Sequence, residues 1–184
     1  MITWSVDISL RPRALVILDE SRLSARISDI LKQDGYNYTT PTAFLSRNDY
    51  FFRPLPSTLP DPTAIHAFVT QGENEVLLHK LATTCADHLS NLKRSVWTAD
   101  HIQAQIKQIS TALDSHNPAY VTTKLEGRLG DISVWDKKVK QYLRWAMAAS
   151  KPGPSLTTVM AILGREVCMQ RLADARRHLK KQAS

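Results

Sequence analysis

Apolar residues recur along this chain at three- and four-residue steps, the spacing that gathers them on one face of an α-helix. No stretch of useful length shows the alternation that a half-buried strand needs, so the pattern predicts an all-α fold, a helical bundle. Leu23, Ile27, Ile30 and Leu31 form the first stripe, which ends at Asp34-Gly35, where a glycine can take the left-handed conformation that stops a helix. Thr40-Pro41 and Asp61-Pro62 each set a capping oxygen before a proline suited to the first helical position, and so announce two short helices. Tyr50-Phe51-Phe52 lies between them, and Pro54 to Pro60 reads as an extended, proline-stiffened connection. A longer helix is expected from about Asn74 to Arg94, with Leu78, Leu81, Cys85, Leu89 and Leu92 on its apolar face. Thr98 then caps a helix bearing Ile102, Ile106, Ile109 and Leu113, with Asp100 at its positive end and His116-Asn117-Pro118 at its close.

The last stretch gives the clearest pattern. Trp135, Val139, Leu143, Ala146 and Met147 make one stripe, Leu156, Val159, Met160 and Leu163 a second, and Cys168, Leu172, Ala175 and Leu179 a third. Lys151-Pro152-Gly153-Pro154 separates the first two and Gly164 the last two, which predicts three helices joined by tight turns. Residues 117–134 hold Gly127 and Gly130 with little periodicity. The expected organisation is a helical subdomain over 1–116, a linker or insertion over 117–134, and a helical subdomain over 135–184.

Charge changes this picture. The chain of 184 residues carries a formal net charge of +7. Eleven Lys and Arg against three acids fall in 136–184, so the whole excess sits in the last helical unit. A basic segment on an otherwise neutral chain is the footprint of a polyanion-binding surface, and the plainer alternative is a solvated, lysine-rich helical tail. Helix N-termini also attract phosphates and base acceptors, and the turn from Ser150 to Pro154 opens onto one.

Candidate chemistry is sparse. Neither common phosphate-cradling glycine loop is present, and His66, His79, His88, His101, His116 and His178 show no spacing typical of zinc. Cys85 and Cys168 have no neighbour in sequence that would activate a thiol and read as core residues, which fits a reducing compartment. Carboxylates gather at predicted helix starts, where capping accounts for them. Residues 1–10 are not a convincing presequence, and the glycosylation pattern at Asn37-Tyr38-Thr39 is read as chance.

Residues Leu143-Arg144-Trp145-Ala146-Met147, the turn Ser150 to Pro154 with Leu156, Val159 to Glu166, and Arg171-Leu172 resemble the C-terminal end of bacterial-type glutamyl-tRNA synthetase. Trp97-Thr98-Ala99 and Asn48-Asp49-Tyr50-Phe51-Phe52 agree in order with that family's C-terminal half, and the likeness spans roughly 22–181. It implies a helical anticodon-binding region, with Arg144, Gly153, Pro154 and Leu156 where the family contacts anticodon bases and Arg26 in the place of a further arginine near them. Thr157 stands where the family often has an aromatic. Splayed-out bases are read by stacking, arginine and backbone hydrogen bonds, which suits these residue types. Without the resemblance, Arg144 reads as a solvated helix residue and Pro154 as a helix-start proline. Lys137, Lys140, Lys151, Arg176 and Lys180 are the expected contacts to the tRNA backbone.

Nothing in the chain resembles the family's HIGH-type and KMSKS-type motifs. The expectation is a module that binds tRNA, with tRNA-Glu implied as the partner, and serves aminoacylation only when joined to a catalytic domain. ATP and Mg would belong to that domain, and no cofactor is expected in this chain. The resemblance allows a truncated or separately encoded part of the synthetase, or a standalone derivative. It implies a bacterial cytoplasm or a mitochondrion, with the mitochondrial matrix favoured. The alternative function is a helical protein–protein adaptor whose basic end docks on an acidic partner.

Overall fold

The computed structural model describes residues 20–52, 74–116 and 134–182, and among them every regular element is helical. In order these are α1 (Glu20–Asp34), α2 (Pro41–Asn48), α3 (Asn74–Ser90), α4 (Ala99–His116), α5 (Val134–Ala148), α6 (Leu156–Leu163) and α7 (Arg165–Gln182), with 3₁₀ turns at Gly35–Asn37, Asp49–Phe51 and Arg94–Val96. No described helix is long and apolar enough to cross a membrane. The short helix expected after Asp61 and the proline-rich connection lie outside the described residues, as does nearly all of 117–134.

The helix boundaries follow local chemistry. Thr40 caps α2 through its side-chain oxygen, which accepts from the Ala43 amide at 3.1 Å, and Pro41 occupies the first helical position. Ser155 caps α6 in the same way, accepting from the Thr158 amide at 3.2 Å. Thr98 opens α4, its carbonyl accepting from the Ile102 amide at 2.9 Å. The helix expected to run to Arg94 ends at Ser90 instead. Arg165, at the start of α7, donates from Nε to the Leu92 carbonyl and from Nη2 to the Ser90 carbonyl, each at 2.8 Å, and so takes over the helix end.

Helices α3 to α7 pack around one core, with α3 lying along α7 and α4 against α5 and α6. The predicted apolar faces meet there: Leu78, Leu81, Cys85 and Leu89 of α3, Ile102, Ile106, Ile109 and Leu113 of α4, and Val139, Leu143, Ala146 and Met147 of α5 are all buried. The helices before and after 117–134 thus share a single hydrophobic cluster, which also takes in Ile30, Phe44, Tyr50 and Phe51. Trp97 ties the two chain segments together, its indole Nε1 donating to the Met160 carbonyl at 2.9 Å within the core. Both cysteines are buried and free, and burial pushes the Cys168 thiol up to about 12 and the Cys85 thiol higher still. They are packing residues.

Between α6 and α7 the backbone turns at Gly164, whose φ of 80° is a conformation L side chains rarely adopt. A Cβ there would meet nothing within 4 Å, so the requirement for glycine is conformational. The Gly164→Ala substitution is therefore expected to lower stability by about 1–3 kcal/mol, the cost of an L residue in a region of backbone space used almost only by glycine. A lowered urea midpoint at unchanged slope would show it.

Candidate nucleic-acid interface

The turn between α5 and α6 carries Gly153 and Pro154, which the resemblance implies lie at anticodon bases. After Ala148, two non-glycine residues take left-handed backbone, Ala149 at φ 50° and Ser150 at φ 61°. The Ser150 amide reaches back to the Arg144 carbonyl at 3.4 Å and the Lys151 amide to the Ala148 carbonyl at 2.9 Å, which closes the end of α5. Left-handed L residues cost roughly 1–2 kcal/mol each, so the surrounding contacts hold this turn in shape.

Arg144 projects from the last turns of α5, half-buried, and donates from Nη2 to the Pro154 carbonyl at 2.6 Å. Its Nη1 is buried without a partner. Burial lowers its pKa, while the facing Tyr50 acts the other way. Both plain readings of the sequence are corrected here: Arg144 is not a solvated helix residue, because its guanidinium braces the next turn. Pro154 is not a helix-start proline, because Ser155 caps α6 and Pro154 precedes the cap. Pro154 is buried and Leu156 partly so, so the turn offers less open apolar surface than its composition suggests. Gly153 is set by close approach: a Cβ on it would lie well inside van der Waals contact with the Tyr50 hydroxyl.

Tyr50 belongs to the 3₁₀ turn Asp49–Phe51, which packs on α5. Two arginines grip that turn. Arg171 of α7, only 7 % exposed, donates from Nη2 to the Tyr50 carbonyl at 2.5 Å and from Nη1 to the Met147 carbonyl. Arg26 of α1 donates from Nη1 to the neighbouring Phe51 carbonyl at 2.9 Å. Burial lowers the pKa of both, that of Arg171 to about 10. Arg26 thus supports the 3₁₀ turn from α1.

The basic surface is thinner than the charge count. Arg171 is buried, Arg165 serves the end of α3, and Lys138 is 8 % exposed with its ammonium 5.0 Å from the Trp135 ring centroid. Lys140 pairs with Asp136 at 2.6 Å, one turn away, and Lys151 with Asp49 at 2.7 Å across 102 positions of sequence. Lys137 and Lys180 are exposed, and Arg176 is partly exposed. Among the described residues no group of three or more His, Cys, Asp or Glu is placed to hold a metal ion. Sequence reasoning gave no role to Tyr50 and Asn48 and counted Arg171 as surface charge. The one signal available was that all three lie within the segments that carried the resemblance.

Replacing Arg171 by Met removes both donors and leaves two buried carbonyls short of a partner. A loss of about 2–4 kcal/mol is expected in chemical denaturation, in keeping with roughly 1–3 kcal/mol for each buried polar group left unpaired.

Comparison with known proteins bears on this turn directly. Residues 133–176, which run from the start of α5 well into α7, match a family model described as an anticodon binding domain. Among solved structures the chain is similar to a glutamate tRNA ligase from Elizabethkingia meningosepticum in complex with its amino acid, at 20% identity and a TM-score of 0.58. That likeness covers 89% of this chain and 26% of the ligase, so the chain spans about a quarter of its length. No curated protein sequence matches. The chain has the fold of part of a glutamate tRNA ligase, and the segment that builds the Arg144–Pro154 turn matches the anticodon-binding domain family.

Proposed function

We propose that this chain binds tRNA through its anticodon stem and loop, and that it supports glutamyl-tRNA formation when joined to a catalytic domain. The observation that carries the reading is the overlap of three features in one segment: the anticodon-binding family match over 133–176, the buttressed turn from Ser150 to Pro154, and the excess of positive charge. Arg144, Gly153, Pro154 and Leu156 are the proposed base contacts, with Arg26 supporting them from behind. Lys137, Lys140, Lys151, Arg176 and Lys180 are the proposed contacts to the phosphate backbone. Lys140 and Lys151 would exchange an intramolecular carboxylate for a phosphate, a small cost for partly exposed pairs.

The likeness to a glutamate tRNA ligase supports tRNA-Glu as the partner, and ATP and Mg are assigned to the catalytic domain. The bacterial origin of that ligase supports a bacterial-type translation system, whether in a bacterial cytoplasm or a mitochondrion. The family match also favours a nucleic acid over an acidic protein at the basic surface, which sets the adaptor reading aside.

Binding should weaken steeply with salt, because each neutralised phosphate releases counterions. A filter-binding series that finds no tRNA retention even at low salt would remove the reading. Two substitutions then separate base reading from backbone attraction. Arg144→Ala is expected to change the ranking among tRNAs with different anticodons, and Lys180→Ala to weaken all of them alike while making the salt dependence shallower by about one unit. Equal losses on every tRNA for both variants would leave a basic binder without anticodon specificity.

A further inference from the structure

Two buried polar atoms without hydrogen-bond partners, Tyr50 Oη and Asn48 Oδ1, lie against Gly153 of the α5–α6 turn. Tyr50 is 3 % exposed and Asn48 fully buried. Buried polar groups are nearly always paired, and a cluster that is not calls for a reason. Here the atoms face the segment proposed to read the anticodon. A Cβ placed on Gly153 would meet the Tyr50 hydroxyl first, then Tyr50 Cζ at 3.5 Å and Asn48 Oδ1 at 3.8 Å.

The contacts form a chain. Arg171 fixes the Tyr50 backbone by its carbonyl, Tyr50 aims its hydroxyl at the Cα of Gly153, and the next residue, Pro154, holds Arg144 by its own carbonyl. The Asn48 amide donates to the Phe44 carbonyl at 3.0 Å. The position of the turn, and with it the aim of the Arg144 guanidinium, is therefore set by how far the Tyr50 ring and hydroxyl reach.

We infer that Tyr50 is a positioning residue for anticodon discrimination: its hydroxyl seats Gly153 and thereby sets the turn that Arg144 holds at Pro154. The inference rests on the reading of 150–156 as the base-contacting turn. It accounts for glycine at 153 and for a buried tyrosine hydroxyl that bonds to nothing. A phenylalanine would fill the core equally well and would carry no unpaired oxygen.

The test uses the full chain with a tRNA-Glu transcript and a transcript altered at one anticodon base, measured by filter binding over a salt series. Tyr50→Phe is expected to keep the urea midpoint of the unaltered protein or raise it, since it removes an unpaired buried group. It is expected to reduce the affinity ratio between the two transcripts by about tenfold, within the range for the loss of one specific base contact. Gly153→Ala is expected to reduce the ratio as well. The double variant Tyr50→Phe, Gly153→Ala should recover part of that loss, because without the hydroxyl the new methyl meets only ordinary contact distances. An unchanged ratio in Tyr50→Phe, equal weakening on both transcripts, or a double variant no better than Gly153→Ala would overturn the inference. Loss of discrimination in proportion to loss of stability would do the same. If the unaltered chain bound neither transcript, the reading of the turn would fall, and the inference with it. Binding by the unaltered chain with an unchanged ratio in Tyr50→Phe would overturn the inference alone.

Discussion

The guanidinium of Arg171 is the interaction on which the site depends. It reaches from α7 into the interior and holds two backbone carbonyls, Met147 at the end of α5 and Tyr50 in the 3₁₀ turn after α2. An arginine is costly to bury, as its lowered pKa reflects, and it is tolerated where hydrogen bonds satisfy it. In return one side chain registers three elements that lie far apart in sequence. Arg26 repeats the device on the adjoining Phe51 carbonyl.

From that clamp the geometry of the candidate interface follows. With the Tyr50 backbone held, its ring packs 4.5 Å from the Phe51 ring centroid and its hydroxyl sits against Gly153. Arg144 completes the arrangement by holding Pro154, so the turn is braced by the 3₁₀ turn and by α5. The strained backbone at Ala149 and Ser150 persists because these contacts over-determine it. The proposed reading of unpaired bases would gain from such stiffness, since little ordering remains to be done on binding.

The electrostatic picture is one of division of labour. Part of the positive charge in 136–184 is structural, turned inward at Lys138 and Arg171 or engaged with helix ends at Arg165. What remains outside lies on α5, α7 and the α5–α6 turn, with Lys140 and Lys151 paired to acidic neighbours. A net charge read from composition therefore overstates the field at the surface, because a buried arginine and an exposed lysine count alike in a sequence.

Much of the architecture was legible in the chain itself. Helical spacing alone specified the α-fold and the buried faces of α3 to α7, because a stripe at three- and four-residue steps has one way to leave water. Thr40 and Gly164 act locally, through a cap and a backbone conformation that need no distant partner. The end of α3 was misplaced by four residues because Arg165, which takes the carbonyls of Ser90 and Leu92, lies more than seventy positions away. The same holds for the site. The residues of the α5–α6 turn could be picked out as a segment, but the roles of Arg171, Tyr50 and Asn48 arise from contacts across more than a hundred positions in some cases, which no local pattern encodes. Periodicity decided which faces are buried. Only the tertiary structure decided which polar groups are buried with them, because a buried arginine or tyrosine is stable only where distant backbone comes to meet it.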